Sequence, residues 1–148
     1  MWAIIISTGW PTRFIDAKKL SSRKGDIIMF DIKRGDIVHV KNPIQIGSAT
    51  HIIQGDHYAV VIQNDKGNEH SSSIIVAYMT SNISRLDLSC NCLIQWYDCL
   101  SKPASVILAG QLMTVDREDI DSIIGHLRLE DEMKLNRALR ASLALEEV

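Results

Sequence analysis

The chain has 148 residues, 46% of them apolar, 23% charged and only 5% aromatic, which fits one globular domain around a single core and excludes collagenous and low-complexity classes. No stretch approaches the roughly 20 apolar residues that cross a bilayer, and Ala3 to Ile6 is too short for the core of a signal peptide, so a cytoplasmic protein with no membrane attachment is expected. The formal charge of −2 is unevenly spread: residues 1 to 28 carry five basic and two acidic side chains, a net of +3, which leaves −5 on the other 120 and excludes a globally basic nucleic-acid binder.

Residues 1 to 28 show neither helical nor alternating apolar periodicity and end in a polar run, Lys18 to Asp26, shortly before Met29. Arg23-Lys24-Gly25-Asp26 can be encoded by an unbroken purine stretch like a bacterial ribosome-binding site. The domain is therefore expected over 29–148, with 1–28 a disordered extension or a mis-assigned start. Ile32 to Val40 reads as a strand interrupted early by Arg34-Gly35-Asp36 and followed by a turn at Asn42-Pro43. Residues 41 to 56 have few large apolar groups and form a loop longer than compact domains usually carry, which marks a functional segment. Ala59 to Ile62 and Ile74 to Met79 are continuous apolar runs and read as buried central strands joined by a turn-rich connection. Leu93 to Trp96 and Ser105 to Leu112 supply two more strands around a break at Lys102-Pro103. Helical signals are confined to the end of the chain. Asp116 is placed to cap a short helix through Ile124 with Gly125 as its stop. A final helix is expected from Glu130 to Leu145, with Met133, Leu135, Leu139 and Leu143 as its apolar stripe. The fold class is mainly β with α: a small antiparallel barrel or curled sheet closed by a C-terminal helix.

Three thiols, Cys90, Cys92 and Cys99, lie in one short segment with no histidine nearby in sequence, which falls short of the four ligands of a structural zinc site, so no metal is expected. No Gly-x-Ser-x-Gly elbow supports a serine hydrolase. Of the histidines at 39, 51, 57, 70 and 126, His51 and His57 fall in or at the end of the long loop that enters a central strand, where a rigid sheet edge holds chemistry in place. Thr80-Ser81-Asn82 ends the neighbouring strand, so pairing of the two strands would bring it near one end of Ala59 to Ile62.

The segments Ile32 to Val38, Gly47-Ser48, Ala59 to Asp65, Ile75 to Ala77 with Thr80-Ser81, Gln111 with Thr114 to Asp116, then Gly125, Leu127 and Ala138 to Leu143 follow one another in an order and spacing that resemble the MazF/PemK/Kid family of bacterial toxin endoribonucleases. The resemblance implies an SH3-like, PemK-type barrel with a C-terminal helix, usually a homodimer. It also implies a cognate antitoxin that occupies the RNA groove and forms with the toxin a DNA-binding complex. Such enzymes cut single-stranded RNA by attack of the substrate 2′-hydroxyl on the adjacent phosphate, without metal or other cofactor. On this resemblance His57 and Thr80 are the catalytic candidates, and Ser48, Thr50, His51, Gln54, Ser81, Asn82 and Arg85 the RNA contacts. With a negative domain, RNA affinity must come from a local patch such as Lys33, Arg34, Arg85 and Lys102. The chain departs from the family where His57-Tyr58 replaces Arg-Pro, where Gly110 stands for an acidic residue, and where Met113 replaces the arginine of Gln-x-Arg-Thr. Either His57 has taken over proton transfer, or the fold binds RNA or an antitoxin without cutting. A gyrase poison of the related CcdB-like fold is a third reading.

Overall fold

The computed structural model describes residues 31–41, 53, 55–86 and 88–145. The expectations for residues 1–28 and for most of the loop at 41–56, with Ser48, Thr50, His51 and Gln54, lie outside the described residues. Among the described residues six strands, β1 (Asp36–Val40), β2 (His57–Val61), β3 (Ser73–Thr80), β4 (Asn91–Gln95), β5 (Ala104–Asp116) and β6 (Ile120–His126), form one sheet in the order β4-β5-β3-β2-β1-β6. Every pairing is antiparallel. The described residues also form the α-helices α1 (Asp65–His70) and α2 (Leu129–Leu143).

The apolar runs at the centre of the chain are continuous because both faces of their strands are buried. Ala59, Val60 and Val61 are all fully covered. One face carries Ile37, Val60, Ala77, Met79, Ile94 and Ile107 against Leu135, Ala138 and Leu139 of α2. The other carries Val38, Val40, Ala59, Val61, Ile74, Val76 and Tyr78. The turn before β1 needs a glycine: Gly35 sits at φ +88°, and a Cβ there would collide with the Glu132 carboxylate.

Four expectations about elements are corrected. The connection between the central strands is not turns alone, because Asn64 caps α1 by accepting from the Gly67 N–H at 2.8 Å. The helix expected from Asp116 to Ile124 is a single 3-10 turn, Arg117–Asp119, followed by β6. Asp116 makes no side-chain cap, and pairing Ile120 with Val40 and Ile123 with Val38 gives β1 its second neighbour. The stripe on α2 is also redrawn. Leu135 and Leu139 are buried, but Met133 and Leu143 are 53% and 51% exposed, and the inner face is completed by Ala138 and Asp131. Strand β5 runs four residues beyond Leu112, and its register to β3 shifts between Ala77↔Leu112 and Met79↔Ile107, which places extra β5 residues around Gly110.

Candidate active site

Strands β2 and β3 pair through Ala59↔Tyr78 and Val60↔Ala77, and the same register carried two residues further sets His57 across from Thr80. Both line a hollow of about 220 Å³ together with Tyr58, Ser81, Leu100, Ser101 and Lys102. The far wall of this hollow comes from the connection between β4 and β5, which is closed at its base by the Trp96 N–H donating to the Pro103 carbonyl at 2.9 Å. That connection folds back beneath the sheet, and the Cys99 thiol lies so close to Gly125 of β6 that a Cβ there would force it to move.

The His57 ring meets the Tyr78 ring edge-on, with centroids 6.2 Å apart. Burial pushes its pKa below the ordinary histidine value, and a hydrogen bond and charge from Asp56 oppose this only in part. The imidazole is therefore neutral at pH 7 and able to accept a proton. Thr80 Oγ1 accepts from the Asn82 N–H at 3.1 Å, which leaves its own O–H available to a ligand. Asn82 Oδ1 accepts from the Ser84 N–H at 3.0 Å and so caps the 3-10 turn Ile83–Arg85.

Of the residues singled out from the sequence, His57, Thr80 and Ser81 share the hollow, Asn82 stands beside them as a turn cap, and Arg85 contributes its backbone to that turn. The expected basic patch does not exist as one surface. Lys102 lines the hollow, whereas Lys33 and Arg34 lie at the other end of β2, where the Gly35 N–H donates to the Val61 carbonyl at 2.8 Å. There Lys33 pairs with Asp31 at 3.0 Å and Arg34 donates to Asn136 at 2.8 Å. Tyr58, Ser101 and Ser105 also reach the hollow and escaped the sequence reading. The one signal for Ser101 was the length of the β4–β5 connection, too long for a tight hairpin turn.

A larger groove of about 700 Å³ runs between β4 and α2, bordered by Trp96, Arg128, Lys134 and Arg137. Much of its charge is already engaged. Asp131, 1% exposed, accepts from Tyr97 Oη at 2.6 Å and Lys134 Nζ at 2.8 Å and pairs with Arg128 at 3.3 Å. Burial and the Asp131 hydrogen bond push the Tyr97 hydroxyl up to about 12, and burial with the Asp131 charge pushes the Cys92 thiol up to about 11, which makes it a poor nucleophile. Among the described residues no three His, Cys, Asp or Glu side chains converge as a metal site.

A six-stranded antiparallel sheet with a C-terminal helix, and a polar hollow at the ends of two of its central strands, are the features with which known proteins can be compared. A family model described as PemK-like, MazF-like toxin of type II toxin-antitoxin system matches residues 33–143, and the chain belongs to that family. Among its relatives is endoribonuclease EndoA of Bacillus subtilis, 36% identical over 116 residues that make up 77% of this chain and 96% of EndoA. The fold is also that of MazF from Deinococcus radiodurans, with a TM-score of 0.64 at 15% identity over 78% of this chain and 99% of MazF. An endoribonuclease from Mycobacterial species, solved in complex with its cognate antitoxin, gives a TM-score of 0.64 at 16% identity over 79% and 99% of the two chains.

Proposed function

We propose that this protein is the toxin of a toxin–antitoxin pair and an endoribonuclease that cleaves single-stranded RNA by 2′-hydroxyl attack, without metal. The observation that carries this reading is the meeting of a neutral imidazole, a strand-end hydroxyl and a lysine at one hollow. His57 takes the proton of the 2′-hydroxyl as the 2′-oxygen bonds to phosphorus. The Thr80 hydroxyl and the Lys102 ammonium stabilise the charge that builds on the phosphate oxygens. The bond from phosphorus to the 5′-oxygen then breaks, and that oxygen leaves with a proton from water. The products carry a 2′,3′-cyclic phosphate and a 5′-hydroxyl.

The same reading gives the chain a cognate antitoxin as partner, a homodimeric state and a cytoplasmic location. It is supported by the type II family, by the antitoxin-bound relative, and by a domain in which no described helix is long and apolar enough to cross a membrane. The test is incubation of the purified protein with a long single-stranded RNA in excess chelator. Cleavage to cyclic phosphate ends is expected. Intact RNA that is still bound would replace the enzyme by a binding module, and arrested DNA supercoiling with intact RNA would point to gyrase.

A further inference from the structure

We propose that Tyr58 is a stacking platform for one base of the single-stranded RNA, held in position by the His39–Asp121 pair; the substrate class rests on the ribonuclease reading above. On the face that carries α2, one row of cross-strand neighbours runs through Cys92, Ile107 and Met79, and the β2–β3 register carried one residue further continues it through Tyr58 to His39 and Ser122. Its first three members are buried in the core, but at Tyr58 the row emerges and the residue is 40% exposed. An aromatic ring left open at the rim of a polar hollow that also holds His57, Thr80 and Lys102 is placed to receive a flat partner.

The ring is braced from the side away from the hollow. His39 meets it edge-on at a centroid distance of 5.4 Å and an angle of 63°. His39 Nδ1 is in turn bonded to Asp121 Oδ1 at 2.8 Å, and the same carboxylate accepts from Ser122 Oγ at 3.1 Å and pairs with Lys41 at 3.6 Å. Burial works against the Asp121 charge, but the hydrogen bonds from His39 and Ser122 prevail and hold its pKa below the usual carboxylate value, so the brace is anionic at neutral pH. Tyr58 therefore has its orientation set before a ligand arrives, which reduces the entropy lost on stacking. Because every base has a π-face, such a platform adds binding energy with little choice of sequence.

The experiment compares the parent protein with Tyr58→Ala, Tyr58→Leu, Tyr58→Phe and Asp121→Asn, using oligoribonucleotides intact or with one abasic position moved stepwise past the cut. Loss of the ring in Tyr58→Ala and Tyr58→Leu is expected to raise KM about 10- to 100-fold with kcat nearly unchanged, the pattern of lost uniform binding. Tyr58→Phe should stay near the parent, and Asp121→Asn should raise KM by a smaller factor without lowering kcat. At one abasic position the difference between the parent and Tyr58→Ala should vanish. A parental KM in Tyr58→Leu overturns the platform, and so does a Tyr58→Phe variant as impaired as Tyr58→Ala. If the parent does not cut, quenching of a 2-aminopurine-labelled oligonucleotide decides. Quenching that needs the ring upholds the platform while the ribonuclease reading falls, and failure of the parent to bind overturns both.

Discussion

At the scale of single residues, the proposed role of His57 as the base carries a pH dependence. A group that must accept the 2′-proton works only when unprotonated, and burial keeps His57 neutral to lower pH than a free histidine. Cleavage is therefore expected to rise from acid pH through an apparent pKa below 6.5 and to level off near neutrality, as a pH–rate profile of the parent will show. His57→Ala should cost on the order of 10²- to 10⁴-fold in rate with folding retained, and Thr80→Val, which keeps the shape and deletes the hydroxyl, should also slow cleavage. His57→Arg should lower the rate because a guanidinium does not take up the proton. Unchanged rates in both His57→Ala and Thr80→Val would remove this hollow from the reaction. That His57 and Thr80 stand at neighbouring strand ends was readable from the sequence, because the strand runs that end there are local features. Tyr58 and Ser101 were not: one depends on where the sheet leaves the cover of α2, the other on how an irregular connection folds back.

At the scale of elements, the central strands rich in β-branched residues were readable from composition, although β1 begins only at Asp36 and β5 runs on to Asp116, and the misassigned helix fell where a short segment had two outlets. The segment from Arg117 to Gly125 has acidic residues suited to a helix start and isoleucines suited to a strand, and only the unpaired edge of β1 decides between them. The same junction carries a pH-sensitive clasp. His126 at the end of β6 bonds to Asp36 of β1 at 2.8 Å and approaches Glu132 of α2 at 3.3 Å, while the Leu127 N–H donates to the Gly35 carbonyl at 2.9 Å. The hydrogen bond to Asp36 raises the His126 pKa; burial opposes it, and the Asp36 and Glu132 charges add to the rise. A pKa raised on folding means that the protonated form favours the native state. This contribution is complete below the unfolded value near 6.5 and fades as pH climbs through the folded one. Urea unfolding should accordingly show His126→Gln destabilised relative to the parent at pH 6, by about 1 kcal/mol or less for a half-exposed pair, with the gap closing at pH 9. An equal gap at both values would deny the clasp its charge.

At the scale of the whole molecule, the field does not draw RNA in. Lys102 is the one cation lining the hollow among the described residues, and the 120 residues from 29 onward carry −5. Contact must therefore be won by short-range stacking and hydrogen bonding more than by long-range steering. The described core begins at Ile32 and the family match at residue 33. We propose that the domain is complete from Met29, so a chain begun there should melt within about one or two degrees of the full one, a shift well under 1 kcal/mol for a domain of this size, and cleave RNA equally well. A drop of many degrees in calorimetry would show that the first 28 residues support the core.

The sheet order also sets when the domain can close as it is made. Strand β1 lies between β2, its near neighbour in the chain, and β6, which is synthesised some 80 residues later. At roughly 5–20 residues per second, several seconds separate the two on the ribosome. Throughout that interval β1 has one free edge and the face beneath α2 is open, so the nascent chain has not yet assembled its core. A partner made alongside it thus has time to be present before the last helix docks.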